Sequence, residues 1–258
     1  GGGYQISGGL HGVGASVVNA LSEWVEIENA YDGYMYTERF ERGAVTRKLE
    51  NVGKTEKSGL KVKFKPDGMI FETVEFDYTT VLNRLREQAF LNAGLRIDLI
   101  DNRDNSNIEA GEAAKAEADN ILKTAQGDEE EYNEFAEDGN YSREAEQREV
   151  TFCFEGGISS FVEFLNSKKH SEMLCDVIHF TTKKDITTAE VALQYNDGYQ
   201  EFMLSFANEV NTPEGGMHET GFKTALTRVL NNYGTKNGII KGDDKVSGED
   251  CREGITAI

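Results

Sequence analysis

The chain has 258 residues, of which 38% are hydrophobic, and it carries a formal net charge of −19. This length accommodates one large domain or two ordinary ones with a sizeable core, and no apolar run approaches the roughly 20 residues that a membrane-spanning helix needs. The acidic balance excludes a basic nucleic-acid surface at the level of the whole chain, so any DNA contact has to be local.

The chain opens with a glycine-rich stretch, GGGYQISGGLHGVGASVVNALSE, in which seven glycines precede a predicted helix starting at Ala15. Glycine allows backbone N–H groups to approach a ligand closely and to adopt positive φ. The first turn of the following helix has unpaired N–H groups and a partial positive charge. Together these features predict a phosphate site. A mobile glycine turn that only caps the helix is the alternative.

Neither of the two familiar phosphate loops fits this stretch. The pattern G-x-x-x-x-G-K-[ST] nearly matches residues 9–16, but Ala15 stands where the lysine is required. The dinucleotide pattern G-x-G-x-x-G fails because the spacing is Gly9-x-x-Gly12-x-Gly14, and no parallel βαβ unit follows. The spacing alone therefore predicts an anion site without naming the anion.

The next hundred residues predict an α+β fold. Alternating apolar and polar residues, separated by turn signals such as Asp32-Gly33, indicate antiparallel hairpins. Apolar residues on one helical face predict a helix over 77–92. We therefore expect helices packed on one face of a mostly antiparallel sheet. The predicted strands cover residues 24–30, 33–40, 44–50, 60–64 and 95–100.

Residues 102–149 form an acidic insertion. Within it, residues 104–149 hold 15 Asp or Glu against 4 Lys or Arg, and large apolar residues are few. Such a composition buries too little apolar surface to fold by itself, so we predict a flexible or helical segment. A dedicated partner-binding tail is the alternative.

From Val150 onward the pattern predicts a second α+β unit. Strand, helix and strand patterns are followed by Asn196-Asp197-Gly198, a strong hairpin signal between two alternating runs. The segment 213–234 predicts a helix. Its inward-facing residues are expected to be Phe222, Leu226, Val229 and Leu230.

The three cysteines indicate a cytoplasmic protein with reduced thiols. Cys153, Cys175 and Cys251 lie far apart and form no CxxC pair, so neither a disulfide framework nor a zinc site is indicated. No signal peptide is recognised, and no membrane partner is expected. The chain begins without Met and inside a motif, so we expect it to be a segment of a longer protein.

The string SGGLHGVGASVVNALS closely resembles the third nucleotide-binding motif of the ATPase subunits of bacterial type IIA topoisomerases, gyrase and topoisomerase IV, in the GHKL superfamily. The resemblance continues through nearly all of the chain except the acidic insertion. Segments that carry it are KSGLKVKFKPDG, RLREQAFLNAGLRIDLIDNR, CFEGGISSFVEFLN, VALQYNDGYQE, NTPEGGMHETGFKTALTRVLNNY and GEDCREGITA.

This resemblance implies a domain organisation. Residues 1–101 would be the later part of a GHKL (Bergerat) ATP-binding sandwich. Residues 102–149 would be an insertion, and residues 150–258 would be part of a transducer domain built like the second domain of ribosomal protein S5.

The resemblance also implies ATP and Mg²⁺ as ligands. The glycine motif would present backbone N–H groups to the β- and γ-phosphates, Tyr4 would lie by the adenine or ribose, and Ser7 would lie at the edge of a lid. The general base and the Mg²⁺ ligand of the family precede Gly1, and its catalytic Lys follows Ile258, so no catalytic residue is expected in the chain. The implied ATP-binding residues are Tyr4, Ser7, Gly9, Leu10, His11, Gly12, Val13, Gly14, Gly59 and Leu60.

Three positions depart from the family pattern. Gln5 replaces a Lys, Leu60 replaces a Thr that helps to read adenine, and Tyr31 replaces an Arg at the pocket mouth. These changes predict weaker nucleotide binding and poor inhibition by aminocoumarins, which depend on that Arg.

The implied partners are double-stranded DNA, a topoisomerase A-type subunit and, on ATP binding, a second copy of the protein. Lys223 and Arg228 are the candidates for lining a DNA cavity. A charged helix face that contacts only water is the alternative for these two residues. The rival hypothesis for the whole chain is a diverged, non-catalytic paralogue that binds a partner or DNA.

Overall fold

The computed structural model describes residues 12–103, 149–169, 171–241 and 244–258. The prediction for the acidic insertion therefore lies almost entirely outside the described residues. The chain divides into two compact units, one ending at Phe76 and the other beginning at Asp77. These units are defined by contacts within this chain, and the family domain boundaries at 101 and 150 stay a prediction.

The first unit contains a four-stranded sheet in the order β3-β2-β1-β4. All three strand pairs are antiparallel, which confirms the predicted hairpins. Asp32 and Gly33 both have positive φ in the turn between the first two strands, as a tight hairpin turn requires. The elements are α1 (Gly14–Ala20), β1 (Ser22–Tyr31), β2 (Tyr34–Glu41), β3 (Ala44–Lys54) and β4 (Gly59–Pro66).

The two faces of this sheet differ because successive side chains of a strand point to opposite sides. On one face Lys61 and Lys63 lie 3.6 Å and 3.5 Å from Glu28. The opposite face of β4 carries Leu60, Val62 and Phe64, and each of these side chains is exposed. One face is thus a solvated ion-pair ladder and the other is apolar.

An ion pair between an exposed Arg42 and a buried Asp67 closes the end of this unit. Asp67 is almost fully buried, and its carboxylate accepts a hydrogen bond of 2.6 Å from Arg42 Nε. That hydrogen bond holds the pKa of the Asp67 carboxyl below its ordinary value. The Asp67 N–H donates to the carbonyl of Leu21 at the end of α1, so the start of β1 and the end of β4 are fixed to each other.

The second unit is built around a four-stranded sheet in the order β7-β8-β12-β9, with two smaller sheets, β5-β6 and β10-β11. The helices α2 and α3 confirm the predicted helical segments. The elements are α2 (Tyr78–Leu91), β5 (Ile97–Ile100), β6 (Glu149–Phe152), α3 (Ile158–Asn166), β7 (Ile178–Lys184), β8 (Thr187–Tyr195), β9 (Phe202–Met203), β10 (Phe206–Ala207), β11 (Val210–Asn211), α4 (Met217–Lys236) and β12 (Ile255–Ala257).

The grouping of α2 and β5 differs from the sequence expectation. The expectation places both in the sandwich of the first sheet, whereas both belong to the unit that begins at Asp77. Asp77 caps α2 by accepting a 2.7 Å hydrogen bond from the Thr80 N–H. β5 pairs with β6 beyond the insertion, so a strand pairing across the acidic segment decides this grouping.

The predicted hairpin at Asn196-Asp197-Gly198 is wrong. The turn exists, and Asn196 Oδ1 accepts a 2.9 Å hydrogen bond from the Gly198 N–H. The strands on either side are not paired, because β12 lies between them, antiparallel to β8 and parallel to β9. A strand from the end of the chain thus takes the hydrogen bonds that a hairpin would have used.

The core of the second unit is aromatic. The Phe90 ring of α2 stacks on Phe154 and Phe161, with centroid distances of 3.7 Å and 4.6 Å. Val162 of α3 is fully buried and lies in a cluster with Ile158 of the same helix and Ala192 of β8. Helix α3 therefore joins the central sheet to α2.

The predicted inward face of α4 is only partly correct. Phe222 and Leu226 pack against a buried cluster, as expected, whereas Val229 and Leu230 are exposed. Their place is taken by Asn231, whose side chain donates to and accepts from the backbone of Val246 at 2.9 Å. The Asn231 amide satisfies the backbone N–H and carbonyl of Val246, which an apolar side chain could not do.

Candidate functional site

Three residues of the predicted phosphate cradle lie among the described residues. Gly12 has a φ of +65°, and Val13 precedes the first turn of α1. No side chain caps this helix, and its first turn contains no acidic residue. The first-turn N–H groups, which have no partner within a helix, therefore face no competing side-chain acceptor from the cap. Tyr4, Ser7, Gly9, Leu10 and His11 lie outside the described residues.

The space around these glycines is open. A Cβ added at Gly12 or Gly14 would meet no atom of the described residues within 4 Å, and the same is true at Gly59. Each position therefore has room for a ligand against the backbone. This matches what a close backbone approach requires.

Gly59 and Leu60 lie at the far end of β1 from α1. They pair with Ala30 and Asn29, whereas α1 leads into the first residue of β1. Strand β1 thus connects the glycine motif before α1 to Gly59 and Leu60, the two groups of predicted nucleotide contacts.

Tyr31 and Leu60, two of the three departures from the family pattern, share one face of the sheet. Leu60 is opposite Asn29, and Tyr31 follows Asn29 by two residues, which returns it to the same side. Both side chains are about two-thirds exposed, at 70% and 66%. They therefore form one apolar surface at this sheet end, where the resemblance predicts an Arg and a Thr in the family. Gln5 lies outside the described residues.

Lys223 is paired with two carboxylates. Its Nζ lies 2.9 Å from Glu201 and 2.8 Å from Glu219. Partial burial alone would lower the pKa of Lys223, but the hydrogen bonds to these carboxylates outweigh that effect and raise it. Glu201 also accepts a hydrogen bond of 2.7 Å from Arg252. The charge of Lys223 is thus used within the second unit.

Arg228 has a different environment. It lines a cleft of about 530 Å³ between α4 and the segment that includes Lys245 and Gly248. Across the described parts of the chain, neither Arg228 nor Lys245 has an ion-pair partner. Lys223 and Arg252 also line this cleft, and its remaining side chains are hydroxyl and amide groups, namely Thr224, Thr227, Asn231, Asn232 and Thr235.

Sequence reasoning missed Lys245 and Glu201. Lys245 reaches the cleft from a loop 17 residues beyond Arg228, and Glu201 neutralises Lys223 from a position 22 residues earlier. Neither relation follows a helical or strand period, so no local pattern reveals it. Only the packing of α4 against the sheet brings these residues together.

Two further properties bear on ligands. Within residues 12–103, 149–169, 171–241 and 244–258, no group of three or more His, Cys, Asp or Glu side chains is placed to hold a metal ion. In the same ranges no helix has both the length and the apolar character for crossing a membrane.

The family model for DNA gyrase B matches residues 157–258. Over its whole length the chain is 45% identical to the DNA gyrase B subunit of Halalkalibacterium halodurans and 42% identical to the DNA topoisomerase 4 B subunit of Bacillus subtilis. The chain belongs to the gyrase B and topoisomerase IV B family. It spans 34% and 33% of the length of these two relatives.

Solved structures of gyrase B share the fold. The 43K ATPase domain of Thermus thermophilus gyrase B, crystallised in complex with an aminocoumarin, matches with a TM-score of 0.71 and 31% identity. The match covers 96% of this chain and 57% of that one. The B subunit of Myxococcus xanthus gyrase matches with a TM-score of 0.65 and 22% identity, which supports the fold alone.

These similarities confirm the predicted family and the α+β fold class of this gyrase B relative. The rival hypothesis of a non-catalytic paralogue is not favoured, because the identity to gyrase B subunits extends over 100% of the chain. The roles of individual residues stay predictions.

Proposed function

We propose that this chain is the ATP-binding and transducer region of an ATP-driven type II DNA topoisomerase, an isomerase that couples ATP binding and hydrolysis to DNA strand passage. The observation that carries the proposal is the 45% identity to a gyrase B subunit over the whole chain. In this proposal two copies of the protein dimerise on binding ATP, and an A-type subunit cleaves the DNA in the cytoplasm.

The nucleotide would bind with its triphosphate at the N-terminus of α1 and its adenine towards Gly59 and Leu60. Positive φ at Gly12 and the uncapped first turn of α1 support the first contact, because both direct N–H groups outward. The glycine motif from Gly9 to Gly14 would thus serve as both hinge and cradle.

The chain would bind ATP without hydrolysing it alone. No residue of the chain is assigned to proton transfer, since a general base must lie within hydrogen-bonding distance of its proton. Because the described residues do not fit a Mg²⁺ site, we derive no step through that ion. These roles fall to other parts of the protein.

A direct test is the unlinking of catenated DNA circles by the intact protein together with its A-type subunit. ATP-dependent unlinking is expected. DNA binding that proceeds equally well without ATP, and without unlinking, would instead favour the non-catalytic hypothesis.

We expect aminocoumarins to bind the intact protein weakly. Leu60 and Tyr31 present an apolar surface where the family has a Thr and an Arg, so a polar inhibitor loses its charged partner. The double variant Tyr31→Arg, Leu60→Thr should bind novobiocin about tenfold more tightly, as one recovered charge-assisted hydrogen bond stabilises by roughly 1.5–3 kcal/mol. Isothermal titration calorimetry measures both affinities.

The matched control is Val45→Arg, which adds a guanidinium at an exposed position opposite Phe40 near the other end of the sheet. It should leave the affinity for novobiocin unchanged. Tight binding of novobiocin by the unmodified protein would refute this prediction.

DNA contact in the second unit is proposed for Arg228, with Lys245 beside it in the same cleft. Both cations lack an ion-pair partner among the described residues. An Arg228→Ala variant of the intact protein should bind DNA of any sequence more weakly. The slope of log K against log salt should fall in magnitude by about 0.9.

Lys223→Ala provides the comparison within the same helix. Because Lys223 is bound to Glu201 and Glu219, its removal should lower the thermal stability and leave the salt slope of DNA binding unchanged. Fluorescence anisotropy at several salt concentrations measures both slopes. Equal slopes for Arg228→Ala and the unmodified protein would remove Arg228 from the DNA interface.

A further inference from the structure

A directed chain of hydrogen bonds crosses the second unit beneath α3. Lys169 Nζ donates to Thr256 Oγ1 at 2.6 Å, and Thr256 Oγ1 donates to Asn166 Oδ1 at 2.5 Å. Asn166 Nδ2 then donates to Gln194 Oε1 at 2.7 Å. In the last of these hydrogen bonds, Gln194 Nε2 donates to the carbonyl of Cys175 at 2.9 Å.

The direction of these hydrogen bonds determines whether the Lys169 amine must be charged. Thr256 is fully buried, and its single hydrogen is already donated to Asn166, so it can only accept from Lys169. A neutral amine satisfies Thr256 as well as an ammonium does, because one N–H is enough. None of these hydrogen bonds then uses the lone pair of the neutral amine.

Among the described residues, no carboxylate forms an ion pair with Lys169. Its contacts are the Thr256 hydroxyl and the face of the Phe202 ring, 5.1 Å from Nζ. Strands β9 and β12 carry no titratable side chain. Lys168, next to Lys169 in sequence, is also a cation, and Glu201, next to Phe202, binds Lys223 and Arg252.

We propose that the Lys169 amine is a covalent modification site that small acyl phosphates acylate selectively. The neutral amine nitrogen attacks the acyl carbonyl carbon, and an N–C bond forms while the C–O bond to phosphate breaks. Inorganic phosphate leaves with the electron pair of that bond, and the ammonium proton of the adduct passes to solvent. Lys169 is partly exposed, so a small donor reaches its nitrogen.

Burial supports the same assignment. It lowers the pKa of Lys169 to about 8, although the Phe202 ring attracts the charged form weakly. At pH 7.5 about a quarter of the amine is then neutral, against about one part in a thousand for a lysine with an ordinary pKa near 10.4. Lower basicity and partial burial reduce the reactivity per neutral amine, so the expected selectivity is smaller than this ratio.

Lys168 is the matched control in the chain. Cleavage after Glu163 and Glu172 releases one peptide, FLNSKKHSE, that contains both lysines. The intact protein is treated with acetyl phosphate between pH 6 and pH 10, and fragmentation mass spectrometry measures the acetylation rate at each lysine. At pH 7.5 Lys169 should react about tenfold faster than Lys168.

The pH dependence separates the outcomes. The rate at Lys169 should level off above about pH 8, where its amine is mostly neutral, and unfolding in urea should make the rates at the two lysines equal. The proposal is overturned if Lys169 reacts no faster than Lys168 at pH 7.5, if the rate at Lys169 keeps rising to pH 10, or if the selectivity persists in urea.

Discussion

Replacing Gly12 with alanine is expected to weaken ATP binding by the intact protein about tenfold or more. Gly12 has a φ of +65° in the described chain, a conformation that a side chain disfavours by about 1–2 kcal/mol. An added Cβ meets no atom of the described residues within 4 Å, so we expect it to point into the space proposed for the phosphates. Equilibrium binding of ATP in the presence of Mg²⁺ measures the effect.

Gly43→Ala controls for backbone strain in the same unit. Gly43 has a φ of +80°, and an added Cβ would meet only the Cα of Ala20, at an ordinary contact distance of 3.9 Å. Gly43→Ala should lower the free energy of unfolding by about as much as Gly12→Ala does, and it should bind ATP normally. If Gly12→Ala also binds ATP normally, then Gly12 does not belong to the phosphate cradle.

Replacing Gly254 with alanine is expected to lower the free energy of unfolding of the second unit by about 3 kcal/mol or more. Gly254 has a φ of +70°, and an added Cβ would lie 2.6 Å from the carbonyl oxygen of Gly198 and closer still to that of Asn196. Backbone atoms cannot move aside as a flexible side chain can. The clash would strain the backbone at the hydrogen bond that the Asn196 N–H donates to the Gly254 carbonyl at 2.8 Å.

Gly238→Ala is the matched control, because it has nearly the same φ, +69°, and nothing within 4 Å of the added Cβ. It should lower the free energy of unfolding by only about 1 kcal/mol, the cost of positive φ alone. Urea unfolding followed by circular dichroism measures both variants. Equal losses in the two variants would show that β12 does not enter the sheet through a tight turn at Gly254.

Much of the first unit could be predicted from the sequence because its strands pair with their neighbours. Turn residues such as Asp32 and Gly33 fix a hairpin locally, and the alternating residues of β1 then determine both faces. The phosphate cradle stays a prediction, although glycines before a helix indicate an anion site within one segment. Its nucleotide came only from the family resemblance.

The second unit was less predictable because distant strands decide it. Asn196-Asp197-Gly198 has the composition of a hairpin turn, yet β12 arrives from about 60 residues later and takes the place of the partner strand. A local motif contains no information about such a competitor. Long-range pairings of this kind are specified by the whole sheet.

Charge pairing on α4 shows the same limit. Lys223 and Arg228 look equivalent in sequence, as two cations on one helix. Both line the same cleft, but Glu201 and Glu219 hold Lys223, whereas Arg228 has no ion-pair partner among the described residues. Which cation is available for a ligand depends on an acidic residue from another element.

The central claim, that this chain is part of an ATP-operated topoisomerase gate, is tested most directly by the oligomeric state of the intact protein. Sedimentation velocity is measured with Mg²⁺ alone and with Mg²⁺ plus a non-hydrolysable ATP analogue. We expect a shift from monomer to dimer that saturates with the analogue and is lost in Gly12→Ala. An unchanged sedimentation coefficient at saturating analogue would contradict it.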